Sequence, residues 1–119
     1  MTLCILISLF LQSGNIVKNN GEVVKLQDIQ LFQEEGVATD FLNFEEHGQV
    51  RKISISRLKR INFKQVLGRT RGVTNWLAIL VERDNSKHEV SLGLVEVKGL
   101  NQNGEEEVIS INSINKISF

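Results

Sequence analysis

Apolar and polar residues alternate along most of this chain, and turn residues interrupt them at short intervals. Residues 90–94 place an apolar side chain at every second position, which is typical of a strand with one buried face. The run 76–81 is apolar throughout and indicates a strand that is covered on both faces. Asn20-Gly21 and Asn103-Gly104 are strong hairpin signals, because a type I′ turn needs positive φ at both central residues. No apolar stripe of 3.6-residue period exceeds one turn, so the pattern predicts an all-β fold.

An eleven-residue segment returns 56 positions later in the chain. Residues 53–63 read ISISRLKRINF, and residues 109–119 read ISINSINKISF. The register also holds upstream, where Gly48 falls on Gly104. Self-similarity at a fixed period indicates a duplicated structural unit. In each copy we expect an Ile-x-Ile strand, a single 3₁₀ turn favoured by Ser and Asn, and a short strand ending in Ile-x-Phe.

This order of strands and turns resembles the small β-barrels of the SH3-like and Sm-like type. It is similar in particular to a small domain that is repeated in uncharacterised exported bacterial proteins. The resemblance covers residues 36–63 and 76–119 loosely and the two eleven-residue tails well. Such barrels usually carry a proline in the tail strand, and this chain has none. The resemblance implies a tandem small-barrel fold and implies no catalytic residue.

The repeat divides the chain into two β units, residues 15–63 and residues 76–119. Residues 64–75 contain Gly68 and Gly72 with little periodicity, and they are predicted to be a linker. A length of 119 residues corresponds to one domain. Two independent domains of about 50 residues each would be marginally stable. We therefore expect the two SH3-like or Sm-like units to pack together, either as two barrels or merged into one eight-strand sandwich or barrel.

The first fourteen residues open with an apolar run, residues 3–11, followed by Gln12-Ser13-Gly14. A run of about ten residues is too short to cross a hydrocarbon core as a helix, and it has the length of the apolar region of a signal peptide. Residues 1–14 are therefore predicted to be a signal peptide, with a first strand of the core or a membrane anchor as alternatives. A cleaved signal implies an exported protein, periplasmic or extracellular, with no transmembrane span in the mature chain. The alternative location is cytoplasmic.

The formal net charge of zero conceals a basic segment in the middle of the chain. Residues 51–71 contain no acidic residue. Their basic residues are Arg51, Lys52, Arg57, Lys59, Arg60, Lys64, Arg69 and Arg71. Such a cluster predicts electrostatic binding of phosphate or sulfate polyanions. The alternative is a solvated sheet edge, or contacts with acidic residues of the same protein.

No group of residues in the sequence has the spacing of a catalytic or metal site. His47 and His88 lie at or beside predicted turns, where solvated histidines are expected. Trp76 opens an apolar run and is expected in the core. Cys4 is the only cysteine, which excludes an intramolecular disulfide and a cysteine metal site. We expect no catalytic residue, no bound cofactor and no metal.

The sequence therefore predicts a non-enzymatic, β-rich binding or structural module that is exported and contacts a protein or a cell-envelope component. The alternative is polyanion or nucleic-acid binding through residues 51–71. Nucleic acid is the less favoured ligand, because aromatic residues do not interleave with the basic ones as stacking on single strands requires.

Overall fold

The computed structural model describes residues 13–119, and these residues form an all-β fold, as predicted. The strands are β1 (Gly14–Lys18), β2 (Val23–Glu34), β3 (Val37–Thr39), β4 (Phe41–Glu46), β5 (Gln49–Ser54), β6 (Leu58–Thr70), β7 (Val73–Glu82), β8 (Lys87–Leu94), β9 (Glu96–Leu100), β10 (Glu106–Ile109) and β11 (Ile114–Ser118). Two 3₁₀ turns, η1 (Ile55–Arg57) and η2 (Ile111–Ser113), precede β6 and β11. Residues 13–119 contain no α-helix.

The strands form one antiparallel sheet that is not closed. Its order is β10-β9-β2-β1-β11-β6-β7-β8-β4-β5, and β3 pairs with β2 off this path. Within residues 13–119 the sheet has eleven strands, where the merged alternative predicted eight. Strand β2 changes partner along its length: residues 23–26 pair with β1, and residues from Gln27 onward pair with β9. A register shift and a positive φ of 52° at Asp28 mark this change.

One hydrophobic cluster fills the inner side of the sheet. Most strands contribute every second side chain to it, as the pleat requires. The two repeated tails supply fully buried members at matching positions, namely Leu58, Ile61, Ile114 and Ile117. The repeat is therefore, in the first place, a repeat of core positions.

The repeated segments adopt the same local structure. Each predicted 3₁₀ turn is present, at Ile55–Arg57 and at Ile111–Ser113, and each starts with a buried isoleucine. Gly48 and Gly104 occupy equivalent turns with φ of 78° and 77°. Their conformation is one that L side chains rarely adopt, which explains a glycine at both positions.

The predicted linker over residues 64–75 is wrong. Residues up to Thr70 continue β6, and β7 begins at Val73, so this segment is a strand hairpin. Its turn is Arg71-Gly72, and both residues have positive φ, 53° and 82°, as a type I′ turn requires. Residues 64–70 are exposed, and an exposed strand without a buried face carries no apolar alternation.

Strand pairing crosses the boundary between the two predicted units. Strand β2 of residues 15–63 pairs with β9 of residues 76–119, and β4 of the first range pairs with β8 of the second. The two ranges therefore share one sheet and one core. The assignment of each range to an SH3-like or Sm-like unit stays a prediction. The signal-peptide prediction falls on residues that, except Ser13 and Gly14, lie outside the described part, and Gly14 begins β1.

Candidate functional site on the outer sheet face

Part of the predicted basic segment contacts acidic or aromatic groups of the same protein. Arg57 Nη2 lies 2.9 Å from Glu82 Oε1, and Arg51 Nε lies 3.8 Å from Glu46 Oε1. Lys52 Nζ lies 5.3 Å from the centre of the Phe41 ring, a cation–π distance. Arg57 and Arg51 therefore make the contacts with acidic residues that the alternative described, whereas Lys52 contacts an aromatic ring.

Two further members contact neutral amides. Lys59 Nζ donates to Asn85 Oδ1 at 2.9 Å, and Arg69 Nη2 donates to Asn112 Oδ1 at 2.6 Å. An amide oxygen satisfies a donor but does not neutralise its charge. Arg69 and Arg71 also line an open groove of about 610 Å³ beside η2. The eight basic residues therefore lie at several separate places and do not form one surface.

Arg60 and Lys64 belong to a larger cationic surface on the outer face of the sheet. Their neighbours Ile61 and Phe63 are buried on the inner face. One cross-strand row runs over β2, β1, β11, β6, β7 and β8 in the order Lys25, Asn15, Ser118, Arg60, Val81 and Lys87. The next row runs over the same strands in the order Val23, Val17, Lys116, Asn62, Ile79 and Glu89. We call this surface the cationic face and define it by Lys25, Arg60, Lys64, Lys87 and Lys116.

The described part of the chain supplies no neutralising partner to the cations of this face. Within residues 13–119 none of the five makes an ion pair or a side-chain hydrogen bond. Glu89 is the one acid in the two rows, at the end opposite Val23. Fixed charges of one sign on a shared surface sum to a positive potential that attracts anions.

A groove lies at the centre of the cationic face, where β1, β11 and β6 meet. It measures about 490 Å³, and its lining includes Lys64 and Lys116 with the amides Asn62 and Asn115. Lysine supplies charge and rotatable donors, and an amide NH₂ supplies two donors. This combination can hold the oxygens of a phosphate or sulfate group.

The sequence identified only part of this surface. It placed Arg60 and Lys64 in the basic segment and missed Lys25, Lys87 and Lys116, because strand pairing brings these residues together from distant parts of the chain. The repeat contained a signal for one of them, since Lys116 matches Arg60 in the second copy. In the antiparallel pair of β6 and β11 the two cations lie on opposite sides of the Ile61–Ile117 pair.

A second charged group surrounds His88, and the expectation of a solvated turn histidine is wrong there. His88 lies in β8, with Nε2 2.7 Å from Glu82 Oε2 and Nδ1 3.0 Å from Glu46 Oε2. The two carboxylates are only 12% and 11% exposed. Each carboxylate also faces an arginine, as described above, so a histidine links two ion pairs. We call this group the histidine–carboxylate cluster.

The surroundings of His88 favour its charged form. The hydrogen bond that His88 donates to the Glu82 carboxylate is the main cause that raises the pKa of His88, with Glu46 adding to it and burial opposing it. Three different strands, β4, β7 and β8, supply the three residues, so no spacing in the sequence could have indicated them. His47, in contrast, is exposed in the turn between β4 and β5, as expected.

Trp76 is a core residue, as predicted, with 6% of its surface exposed. Its ring meets the ring of Phe63 edge-on, at 5.2 Å between centroids and 64° between planes. In residues 13–119 no set of three or more His, Cys, Asp or Glu side chains has an arrangement suited to a metal ion. The same residues contain no helix of the length and hydropathy that a membrane crossing needs.

Comparison with known proteins finds no matching family model, no matching curated protein and no matching solved structure. The resemblance to SH3-like and Sm-like barrels therefore rests on the sequence pattern alone.

Proposed function

We propose that this protein is a non-enzymatic binding module whose cationic face binds a phosphate or sulfate polyanion. One observation carries the proposal: five cations from four strands share a sheet face, and none has a neutralising partner within residues 13–119. An unpaired lysine or arginine keeps its charge available for a ligand, whereas Arg57 and Arg51 already face carboxylates.

The spacing of the charges fits a chain-like anion better than a single small ion. Arg60 and Lys64 flank Asn62 on one strand, and Lys116 lies directly opposite Asn62 on the next. Residues that are diagonal neighbours across two strands lie roughly 7–8 Å apart. Successive charged groups of a polyanion can therefore contact successive cations, and each contact releases condensed counterions.

The broader proposal is an exported module that contacts a cell-envelope component. It rests on the apolar run of residues 3–11 together with this face, because envelope polymers with phosphate or sulfate groups would meet an exported protein. The measurement that tests export is the intact mass and compartment of the protein expressed from its first residue. Loss of about the first 13–14 residues with export supports this part, and a full-length cytoplasmic product contradicts it.

Binding is tested by titrating the protein with inorganic polyphosphate and with a heparin oligosaccharide over a range of salt concentrations. The test variant is the triple substitution Arg60→Gln, Lys64→Gln, Lys116→Gln. The slope of the logarithm of the association constant against the logarithm of the salt concentration is negative. If each residue makes one anion contact, this slope should be shallower in the variant by about 2 to 3, since each contact contributes about 0.7–0.9 to its magnitude.

The matched control is the triple substitution Lys59→Gln, Arg69→Gln, Arg71→Gln. It removes the same net charge as the test variant, here entirely from residues 51–71, but leaves the cationic face intact. The control should bind nearly as the unmodified protein does. Equal losses in the two triple variants would show that net charge, and not this face, determines binding, and the proposal would then be wrong.

A further inference from the structure

The strands at the two edges of the sheet correspond to each other in the 56-residue repeat. Strand β5 ends one side and β10 ends the other, and residues 50–53 of β5 correspond to residues 106–109 of β10. Within residues 13–119, β5 pairs only with β4 and β10 only with β9. The outer edge of each strand therefore presents backbone N–H and C=O groups that this part of the chain leaves available for pairing.

The two edges carry opposite charge within these equivalent segments. The β5 edge presents Arg51 and Lys52, and the β10 edge presents Glu106 and Glu107. All four residues lie on the terminal strands. The duplicated edges have therefore diverged into one cationic edge and one anionic edge.

An antiparallel pairing of these edges matches charge and shape together. The register that sets Arg51 opposite Glu107 also sets Lys52 opposite Glu106. The same register sets Val50 opposite Val108, and these valines are 79% and 56% exposed. Opposite charges and β-branched pairs placed directly across two strands are both stabilising.

The faces of the two strands also agree in this register. Residues two positions apart in a strand lie on the same face of the sheet. Arg51 therefore shares the inner face with the buried Ile53, and Glu107 shares it with the buried Ile109. A shift of one residue would set inner-face positions against outer-face positions. The matched register is thus the one that continues the sheet with its core side unchanged.

We propose that the β5 edge of one molecule pairs antiparallel with the β10 edge of a second copy of this chain. The contact is head-to-tail, because each molecule carries one edge of each charge. Repetition of such a contact produces open rows or a ring and not a closed dimer. The ion pairs that these residues make within one molecule compete only weakly with this contact, because Arg51 lies 3.8 Å from Glu46 and Glu106 lies 3.8 Å from Lys98. This inference does not depend on the polyanion proposal.

Sedimentation velocity of the full chain tests the contact across a range of protein and salt concentrations. We expect association that grows with protein concentration and weakens with salt, because exposed charge pairs are screened. The variant R51E/K52E makes both edges acidic, and the variant E106K/E107K makes both edges basic. Each variant alone should associate at least about tenfold more weakly than the unmodified protein, since like charges directly opposite are destabilising.

Mixing the two variants provides the decisive comparison. The acidic β5 edge of the first variant complements the basic β10 edge of the second, and the remaining edges also complement each other. The mixture should therefore recover association that neither variant shows alone. The control K25E/K87E has the same net charge change as R51E/K52E but alters no edge strand, and it should associate like the unmodified protein.

The fold of each variant is checked by the fluorescence of Trp76, the only tryptophan. Recovery on mixing, with folded single variants, supports the proposal. A protein that stays monomeric at every concentration and salt would contradict it. Variants that associate as strongly as the unmodified protein, or a mixture that stays monomeric, would contradict it equally.

Discussion

Ile61 and Ile117 lie directly opposite each other in strands β6 and β11, and they are the same position of the 56-residue repeat. The flanking pairs are reciprocal: Arg60 faces Ser118, and Asn62 faces Lys116. Exchange of the two repeats therefore leaves this pairing unchanged, which is the relationship that a two-fold axis imposes on an isologous contact. The two isoleucines lie in the core on the inner face of the sheet, and their neighbours Arg60 and Lys116 belong to the cationic face on its outer side.

The Ile61–Ile117 pair should be a major contributor to stability. Both side chains are fully buried in the core cluster. Ile61→Ala and Ile117→Ala should each lower the free energy of unfolding by about 2–5 kcal/mol, because each leaves a cavity. Chemical denaturation followed by Trp76 fluorescence measures the change. The matched control Val50→Ala, at a side chain that is 79% exposed, should change stability by less than about 0.5 kcal/mol.

The double variant Ile61→Ala, Ile117→Ala tests whether the two residues act as a pair. Directly opposed side chains share a cavity, so the two losses should differ from additivity by about 0.5 kcal/mol or more. Additive losses would show that the two isoleucines contribute to the core independently.

His88 should make stability depend on pH. Because its pKa is raised in the folded protein, its contribution is fully present below its ordinary pKa of 6.5. The contribution is lost as the pH rises through the raised, folded-state pKa. At about pH 6 the His88→Gln variant should be less stable than the unmodified protein by about 1 kcal/mol, the usual contribution of a hydrogen-bonded charge at a partly exposed site. The difference should shrink by about pH 9.

The histidine in the neighbouring turn provides the control for this pH effect. His47 is exposed and has a φ of 52°, a conformation that asparagine tolerates. At about pH 6, His47→Asn should therefore change the free energy of unfolding by less than about 0.5 kcal/mol. If His88→Gln has the same effect at acid and alkaline pH, the histidine–carboxylate cluster does not stabilise the charged imidazole.

Two glycines of the β6–β7 hairpin should respond oppositely to alanine. Gly72 has a φ of 82°, whereas Gly68 lies in β6 without a positive φ. A Cβ atom at either position would meet nothing within 4 Å, so backbone conformation alone separates them. Gly72→Ala should cost about 1–2 kcal/mol, and Gly68→Ala should be neutral or stabilising by up to about 1 kcal/mol. Equal effects, measured by thermal unfolding, would exclude the type I′ turn at Arg71-Gly72.

The features that local sequence determines were predictable. An eleven-residue pattern predicted the 3₁₀ turn and the short strand of both tails, because burial, turn and strand follow one another within a few residues. The second isoleucine of each Ile-x-Ile, Ile55 and Ile111, begins the 3₁₀ turn and does not belong to the predicted strand. The turn signals identified hairpins but not always their type. At Asn20-Gly21 and Asn103-Gly104 only the glycine has positive φ, so these are not the predicted type I′ turns.

The order of strands in the sheet was not predictable from the repeat. A repeat suggests that each copy folds on itself, whereas β2 pairs with β9 and β4 with β8 across the two copies. Both arrangements bury the same side chains, so the apolar pattern cannot distinguish them. Because the strand order was not predictable, the sequence also could not show that Glu46, Glu82 and His88 lie together.

Amide NMR spectra recorded during a titration with inorganic polyphosphate test most directly whether the cationic face binds polyanions. We expect saturable shifts that are concentrated at Arg60, Lys64 and Lys116 and that disappear at high salt. Shifts centred on Arg69 and Arg71, or no saturable shift at low salt, would contradict polyanion binding at this face.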